Sequence, residues 1–311
     1  MIDLLLNNAI IENSDQPVDI AIHNGMIIDL GPQLDYSPHQ QLDIKRRLVI
    51  PGFVESHLHL DIALMNSWQQ PGRPEPYLSH YGLNDSMERR RKKFTPLDIE
   101  QRAGMTLELA SKHGVTAVRA QCHVDPEIGL KQVEALQSVK EKYSGRVTLQ
   151  IATFPQQGLL KSPQIIDLFK EAFKIGADVM GGASNLDRDT HGNINVEAHL
   201  DAAFDLAMEF DIDLDIHADL GLPDTVTLDE LEVVCIAKKT IERNYQGRVT
   251  VGHACALDSA LPDVAAQAIS LIKEAKLNIV SQPDLYRLAR EDTHHVRRGL
   301  TWAMSEMPFV H

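Results

Sequence analysis

Residues 212–254 read IDLDIHADLGLPDTVTLDELEVVCIAKKTIERNYQGRVTVGHA. Two short apolar, strand-like runs, IDLDIHA and RVTVGHA, enclose a helical stretch, and each run closes on a histidine, His217 and His253. A strand, a crossover helix and a second strand are what a parallel pair requires, because the chain must return to the same end of the sheet before pairing again.

The same kind of run recurs outward in both directions: FVESHLHL (53–60), GVTAVRAQC (114–122), RVTLQIATF (146–154), ADVMGGA (177–183) and LNIVSQP (277–283). After the second, the runs return roughly every 30 to 35 residues, enough for one helix and two short loops. Helix ends stand between them. Thr95, Pro96 and Asp98 supply an N-cap, a first-turn proline and an early acid, and Gly114 marks a stop after Lys112 and His113. Ser162-Pro163 and Gly176 repeat the arrangement around the next helix.

No glycine-rich dinucleotide fingerprint follows the first strand, so a barrel is preferred to an open doubly wound sheet. The expected fold is an α/β, (β/α)8 TIM-like barrel over 51–311. With a helix over about 295–307, an eighth strand would begin near His311, so the barrel is expected to lack strand eight. Residues 1–50 are expected to form a separate small β unit, from DLLLNNAII, VDIAIHNGMIIDLG with a hairpin turn at Asn24-Gly25, and QLDIKRRLVI.

Composition narrows the function classes. The 311 residues are 43% hydrophobic and 24% charged, enough to bury a substantial core. The formal net charge of −14 argues against a nucleic-acid partner, which is held by neutralising phosphates, and favours a small neutral or cationic ligand. The run Arg89-Arg90-Arg91-Lys92-Lys93 is read as a solvated helix face. Cys122, Cys235 and Cys255 show no CxxC spacing, which suits reduced thiols better than a disulfide framework. The opening MIDLLLNNAII has no positive leader region, and no run approaches the ~18 apolar residues of a membrane span. The expectation is a cytoplasmic protein with no membrane partner. An open barrel would expose strand edges, which leaves a homo-oligomer that supplies the missing strand as an alternative.

Three predicted strands end in histidine. His57-Leu58-His59 closes the first, and alternate residues of a strand face the same way, so both rings can project into one mouth. An HxH pair alone is weak in a chain with 14 histidines, but the C-terminal ends of barrel strands are where catalytic groups gather. His217 and His253 fall at the same predicted face. Neutral imidazoles suit Zn²⁺ or Fe²⁺ better than Mg²⁺ or Ca²⁺.

HLHLD after PGFVES, then VRAQCHVDP, IATFPQQG, IDLDIHAD and RVTVGHA, in that order, resemble the successive motifs of the amidohydrolase superfamily in its cytosine deaminase branch. The stretch AKKTIERNYQGRVTVGHA resembles the N-isopropylammelide isopropylaminohydrolase-like members. The resemblance implies one divalent metal, zinc or iron, on His57, His59 and His217. His253 would polarise the carbon under attack or hold the metal-bound water, and Gln156 would contact the ring amide edge of a heterocyclic substrate. Asp61 would hydrogen-bond a ligand, and Arg119 with His123–Asp125 would support the metal ligands. Strand ADVMGGA has no lysine, so a two-metal site bridged by a carboxylated lysine is not implied. The implied reaction is hydrolysis of a C–N bond, by deamination or amine removal, with metal-activated water.

Two departures qualify it. Cytosine deaminases carry a proton-shuttling glutamate three positions after the fifth-strand histidine, where this chain has Leu220. Asp219 is the alternative proton carrier, with a helix cap or a solvated loop residue as the competing readings. The family's strand-eight aspartate has no counterpart before MPFVH, and neither Asp284 nor Asp292 matches it. A catalytically inactive, truncated relative and a non-catalytic ligand-binding barrel are therefore carried as alternatives. The loop from Asn66 to Leu83, with Trp68, is expected to cover the mouth, and His294-His295 to lie on an exposed helix face.

Overall fold

A computed structural model describes residues 1–12, 14, 16–64, 92–221, 223 and 225–281. The Asn66–Leu83 loop, residues 89–91 of the basic run, Asp284, Asp292, His294-His295, the expected last helix and anything after it lie outside these residues. The chain divides into two compact units, Met1–Phe53 and Val54–His311.

The first unit is a four-stranded sheet in the order β3-β2-β1-β4, from β1 (Ile2–Ala9), β2 (Val18–His23), β3 (Met26–Gly31) and β4 (Pro38–Asp43). β1 and β2 pair antiparallel, as do β2 and β3, across a turn in which Asn24 and Gly25 take φ of +50° and +73°. Two positive φ values suit a two-residue hairpin, whose twist must match that of its strands. Ile2, Leu5 and Ala21 bury one small cluster, and Ala9, Val18 and Ile20 a second. The run QLDIKRRLVI does not form one strand. β4 pairs parallel with β1 and stops at Asp43, because Lys45 and Arg46 turn through left-handed φ of +55° and +59°, leaving a single bridge between Ile10 and Leu48 beyond.

The second unit is an α/β, TIM-like barrel built on seven parallel strands among the described residues. In chain order they are β5 (Phe53–Leu58), β6 (Val115–His123), β7 (Thr148–Phe154), β8 (Val179–Ala183), β9 (Asp213–Ala218), β10 (Val249–His253) and β11 (Asn278–Val280), each paired with its sequence neighbour. Among the described residues six α-helices alternate with them: α1 (Pro96–Lys112), α2 (Lys131–Lys142), α3 (Pro163–Lys174), α4 (Val196–Phe210), α5 (Glu232–Glu242) and α6 (Pro262–Glu274). None is long and apolar enough to cross a membrane.

Local chemistry sets the helix ends. Thr95 Oγ1 accepts from the Asp98 backbone N–H at 3.2 Å, satisfying one of the orphan donors of α1, and Gly114, at φ +86°, takes the left-handed turn that ends it. Gly176 does the same after α3 at φ +111°. The core runs between strands and helices through Leu107, Leu136, Ile151, Phe169, Phe204, Leu214, Ile216 and Val251, all essentially sealed from solvent.

Candidate active site

Five imidazoles collect at the C-terminal ends of the strands. His57 lies within β5, and His59 follows just past its end, with the two ring centres 5.6 Å apart. His217 on β9 stands 4.5 Å from His57 and 5.4 Å from His59, and His253, closing β10, stands 4.9 Å from His57 and 5.0 Å from His217. His123, closing β6, comes within 5.7 Å of His59. The register that pairs Gly252 with His217 sets β10 and β9 at one level. His253 itself has φ of +80° and Ala254 +51°, a conformation that costs a non-glycine residue of order 1 kcal/mol or more and is held by Ala254 N–H donating to the Ala218 carbonyl. Gly252 must lack a side chain, since a Cβ there would stand 2.9 Å from His57 Cε1.

Burial keeps the rings of His57, His59, His217 and His253 neutral. It drives His57 down to about 4, assisted by the Arg119 charge, and His59 and His253 to about 3; His217 falls well below the ordinary imidazole range for the same reason, reinforced by its histidine neighbours. A neutral imidazole is the form that binds a metal.

The donor set suits a divalent ion. His59 Nε2 and His217 Nε2 face each other at 3.3 Å, and two nitrogens each about 2.0–2.1 Å from a tetrahedral ion stand about 3.4 Å apart. The Nδ1 atoms of His59 and His217 are buried with no hydrogen-bond partner among the described residues. His57, His217 and His253 each bring a ring nitrogen within 4.8 Å of the others, so the cluster offers more nitrogens than His57, His59 and His217 alone. Phe154, at the end of β7, packs its ring against His59, His123 and His217 at 5.2, 5.3 and 4.5 Å, an apolar wall that nothing in IATF by itself announced.

Beside this cluster, Asp61, His123 and Gln156 form a chain. Asp61 Oδ2 lies 3.0 Å from the His123 backbone nitrogen and 2.7 Å from its Nδ1, while His123 Nε2 lies 3.0 Å from the Gln156 amide. Burial pushes the Asp61 carboxyl up, but the charge of His123 and the hydrogen bonds from it win, and the net shift is downward. Arg102, held by Asp98, donates to the Asp61 and Ala63 carbonyls and so fixes the turn after β5.

Asp219 is placed as a helix cap. Its Oδ1 and Oδ2 accept from the backbone N–H groups of Glu232 and Val233 at 2.8 and 2.9 Å, at the start of α5. Glu232 replies by accepting from the Asp219 N–H at 2.6 Å and also takes the Ser184 hydroxyl at 2.7 Å, tying the ends of β8 and β9 together. Burial pushes Asp219 up to about 6 against the pull of the Val233 N–H. The geometry favours the cap over the proton carrier. Glu232 carried no signal in the sequence beyond its place at a helix start.

Two to four residues before the histidines on the same strands lies a second polar layer. Arg119 Nη1 on β6 donates to Asp215 Oδ2 and Thr250 Oγ1, both at 3.1 Å, and its Nε donates to Gln150. Asp215 alternates with His217 along IDLDIHA and is fully buried; burial raises it to about 6 against the opposing charge of Arg119. Asp125 faces its own loop, accepting from the Glu127 N–H at 2.9 Å.

Known proteins share this frame. The chain is 29% identical over 282 residues to N-isopropylammelide isopropyl amidohydrolase of Pseudomonas sp. (strain ADP), covering 90% of this chain and 68% of that protein. It is 27% identical to pterin deaminase of Rhizobium rhizogenes, covering 91% and 63%. The structure of 5-methylcytosine deaminase from Klebsiella pneumoniae liganded with phosphonocytosine superposes with a TM-score of 0.75 at 26% identity, covering 88% of this chain and 65% of that one. The chain belongs to the amidohydrolase superfamily, in its cytosine deaminase-like branch. N-isopropylammelide isopropylaminohydrolase from Burkholderia multivorans agrees, with a TM-score of 0.76 at 26% identity over 90% of this amidohydrolase chain and 68% of its own. The chain thus spans about two thirds of the length of these relatives. No family model matches it.

Proposed function

We propose that this chain is a metal-dependent hydrolase of C–N bonds in a small nitrogen heterocycle, holding one divalent ion, zinc or iron, on His57, His59 and His217. The observation that carries the proposal is the part-buried pair of ring nitrogens 3.3 Å apart on His59 and His217, whose rings desolvation keeps neutral. When bound, such an ion supplies a water acidic enough to act as hydroxide near pH 7.

The chain's own residues do the rest. His253 would donate a hydrogen bond to the atoms under attack, a role supported by its ring standing 4.9 Å from His57 and 5.0 Å from His217. Gln156 holds the ring edge of the substrate, and Phe154 excludes water from one side of the imidazoles. Asp219 holds the turn after β9 and keeps His217 and His253 in register. A neutral heterocycle suits the net charge of −14. A cytoplasmic setting belongs to the same reading, supported by three cysteines without CxxC spacing.

The test is metal content of the purified protein by elemental analysis, with ammonia or amine release from pyrimidines, pterins and aminotriazines. About one zinc or iron per chain with turnover is expected. Stoichiometric metal without turnover on any ring would leave a binding barrel, and absence of both would overturn the hydrolase.

A further inference from the structure

β7 and β8 are neighbours in the barrel, yet they pair at a single position, Ala152 with Val179. β8 follows β9 over five, from Val179 with Asp213 to Ala183 with His217. Beyond Val179 the residues of β8 thus have no ladder on the β7 side, and a buried N–H left unpaired is costly. Side chains take the place of the strand. Gly181 N–H donates to Thr153 Oγ1 at 3.2 Å, and Ala183 N–H donates at 3.1 Å to Nε2 of His199, in the first turn of α4.

The other nitrogen of the same ring reaches back toward β7. His199 Nδ1 lies 2.6 Å from Asp187 Oδ2, and Asp187 accepts from the backbone N–H groups of Leu159 and Leu160, in the loop after β7, at 2.8 and 2.9 Å. The Ala183 N–H can only donate, so Nε2 bears the lone pair and the ring proton sits on Nδ1, where Asp187 accepts it. Both side chains are sealed from solvent, and every polar atom of the pair has a partner. The backbone is cleared for them: a Cβ at Gly182 would stand 2.9 Å from His199 Nε2, and one at Gly158 would collide with Asp187 Oδ1. The same Gly182 position looks onto Ile216 of the core, so His199 lies on the helix side of the sheet and acts through the strands, not by ligation.

We infer that Asp187 and His199 are positioning residues. They form a side-chain staple that replaces the missing ladder between β7 and β8, and so fix the level at which His217, the register partner of Ala183, presents its ring to the metal. The inference deepens the proposed metal site and rests on it for the ion. Its physical basis is that a ligand held in place before the ion arrives binds more tightly, so hydrogen bonds outside the ligand set contribute to affinity.

The first measurement needs no variant and no activity: long-range ¹H–¹⁵N correlation of the histidine rings in the intact protein. His199 is expected to show a protonated, pyrrole-type Nδ1 and an unprotonated, pyridine-type Nε2. A proton on Nε2 overturns the staple, because the Ala183 N–H would then have no acceptor. The second is zinc affinity by chelator competition, with the visible spectrum of the cobalt(II) form and thermal unfolding alongside. His199→Leu is expected to weaken zinc about tenfold and to shift the cobalt bands. His199→Gln should recover most of both, since one amide can donate to Asp187 and accept from Ala183. A lower melting temperature in His199→Leu with zinc affinity and cobalt bands unchanged would make the pair merely structural and sink the inference, as would equal losses in the Gln and Leu variants. Should His199→Leu fail to fold, Asp187→Asn keeps the shape while turning an NH₂ toward the backbone donors, and the same tenfold loss is expected; unchanged affinity there counts against the staple. Wild type that binds neither zinc nor cobalt, with the His199 tautomer as expected, instead strikes the metal-site reading and removes the positioning role along with it.

Discussion

Two polar layers sit on the same strands, the lower one two to four residues before the histidines, and they handle burial differently. The upper layer, His57, His59, His217 and His253, gives up charge: its rings are neutral, and the Nδ1 atoms of His59 and His217 lack partners among the described residues. The lower layer keeps charge and pairs it, with the Arg119 guanidinium shared between Asp215 Oδ2, Thr250 and Gln150, while Asp215 Oδ1 has no hydrogen-bond partner among the described residues. A layer whose charge is paired within the protein contributes to the fold, whereas neutral imidazoles whose Nε2 atoms face one another offer lone pairs to something that is not protein. The difference also has a direction, since the Arg119 charge reaches His57 and helps keep it neutral.

The sharpest way to break this contrast is in the lower layer. Arg119→Met should cost about 3–5 kcal/mol in urea unfolding, because it strands the buried Asp215 carboxylate, while Arg119→Met with Asp215→Leu should recover most of the loss. Equal destabilisation of the single and double variants would mean that the pair is not a closed unit. In the upper layer the effect should move from stability to ligand: His217→Ala is expected to lower zinc affinity by about 100-fold or more, about 2.7 kcal/mol, in a chelator competition, with the metal-free melting temperature unchanged or raised. A large loss of metal-free stability would make the histidines structural.

Gly252→Ala probes the seam between the layers. Its Cβ would stand 2.9 Å from His57 Cε1 and 3.0 Å from Nδ1, so the ring must shift, and zinc affinity should fall about tenfold in a protein that still folds. The smallest effect is expected from Thr250→Val, which removes one acceptor of Arg119 while leaving Asp215 in place: about 1 kcal/mol by urea unfolding, with zinc affinity unchanged.

Much of the barrel was legible because its signals are local. The runs from FVESHLHL to LNIVSQP each hold a strand, and Thr95, Gly114 and Gly176 mark helix ends as their side chains require. Histidine at three strand ends was equally local, and alternation in IDLDIHA already set Asp215 on the face of His217. What was not legible depended on partners far away in sequence. Asp219 looked as able to carry a proton as to cap a helix until Glu232 and Val233 were seen to donate to both its oxygens. Phe154 and Gly252 gave no sign of their contacts with histidines roughly 60 to 200 positions distant. QLDIKRRLVI misled because its apolar alternation is real, yet two left-handed residues, Lys45 and Arg46, turn the backbone out of line.

By itself, then, the sequence determined the alternation of strand and helix, the level at which the histidines stand, and the chemistry those side chains can offer, because each follows from residue type and spacing along a few turns of chain. Only the tertiary structure decided which imidazoles face one another at 3.3 Å, which carboxylates cap or pair, and that Asp61 meets Gln156 through His123, because hydrogen-bond partnership is fixed by the register of separate strands and not by order along the chain.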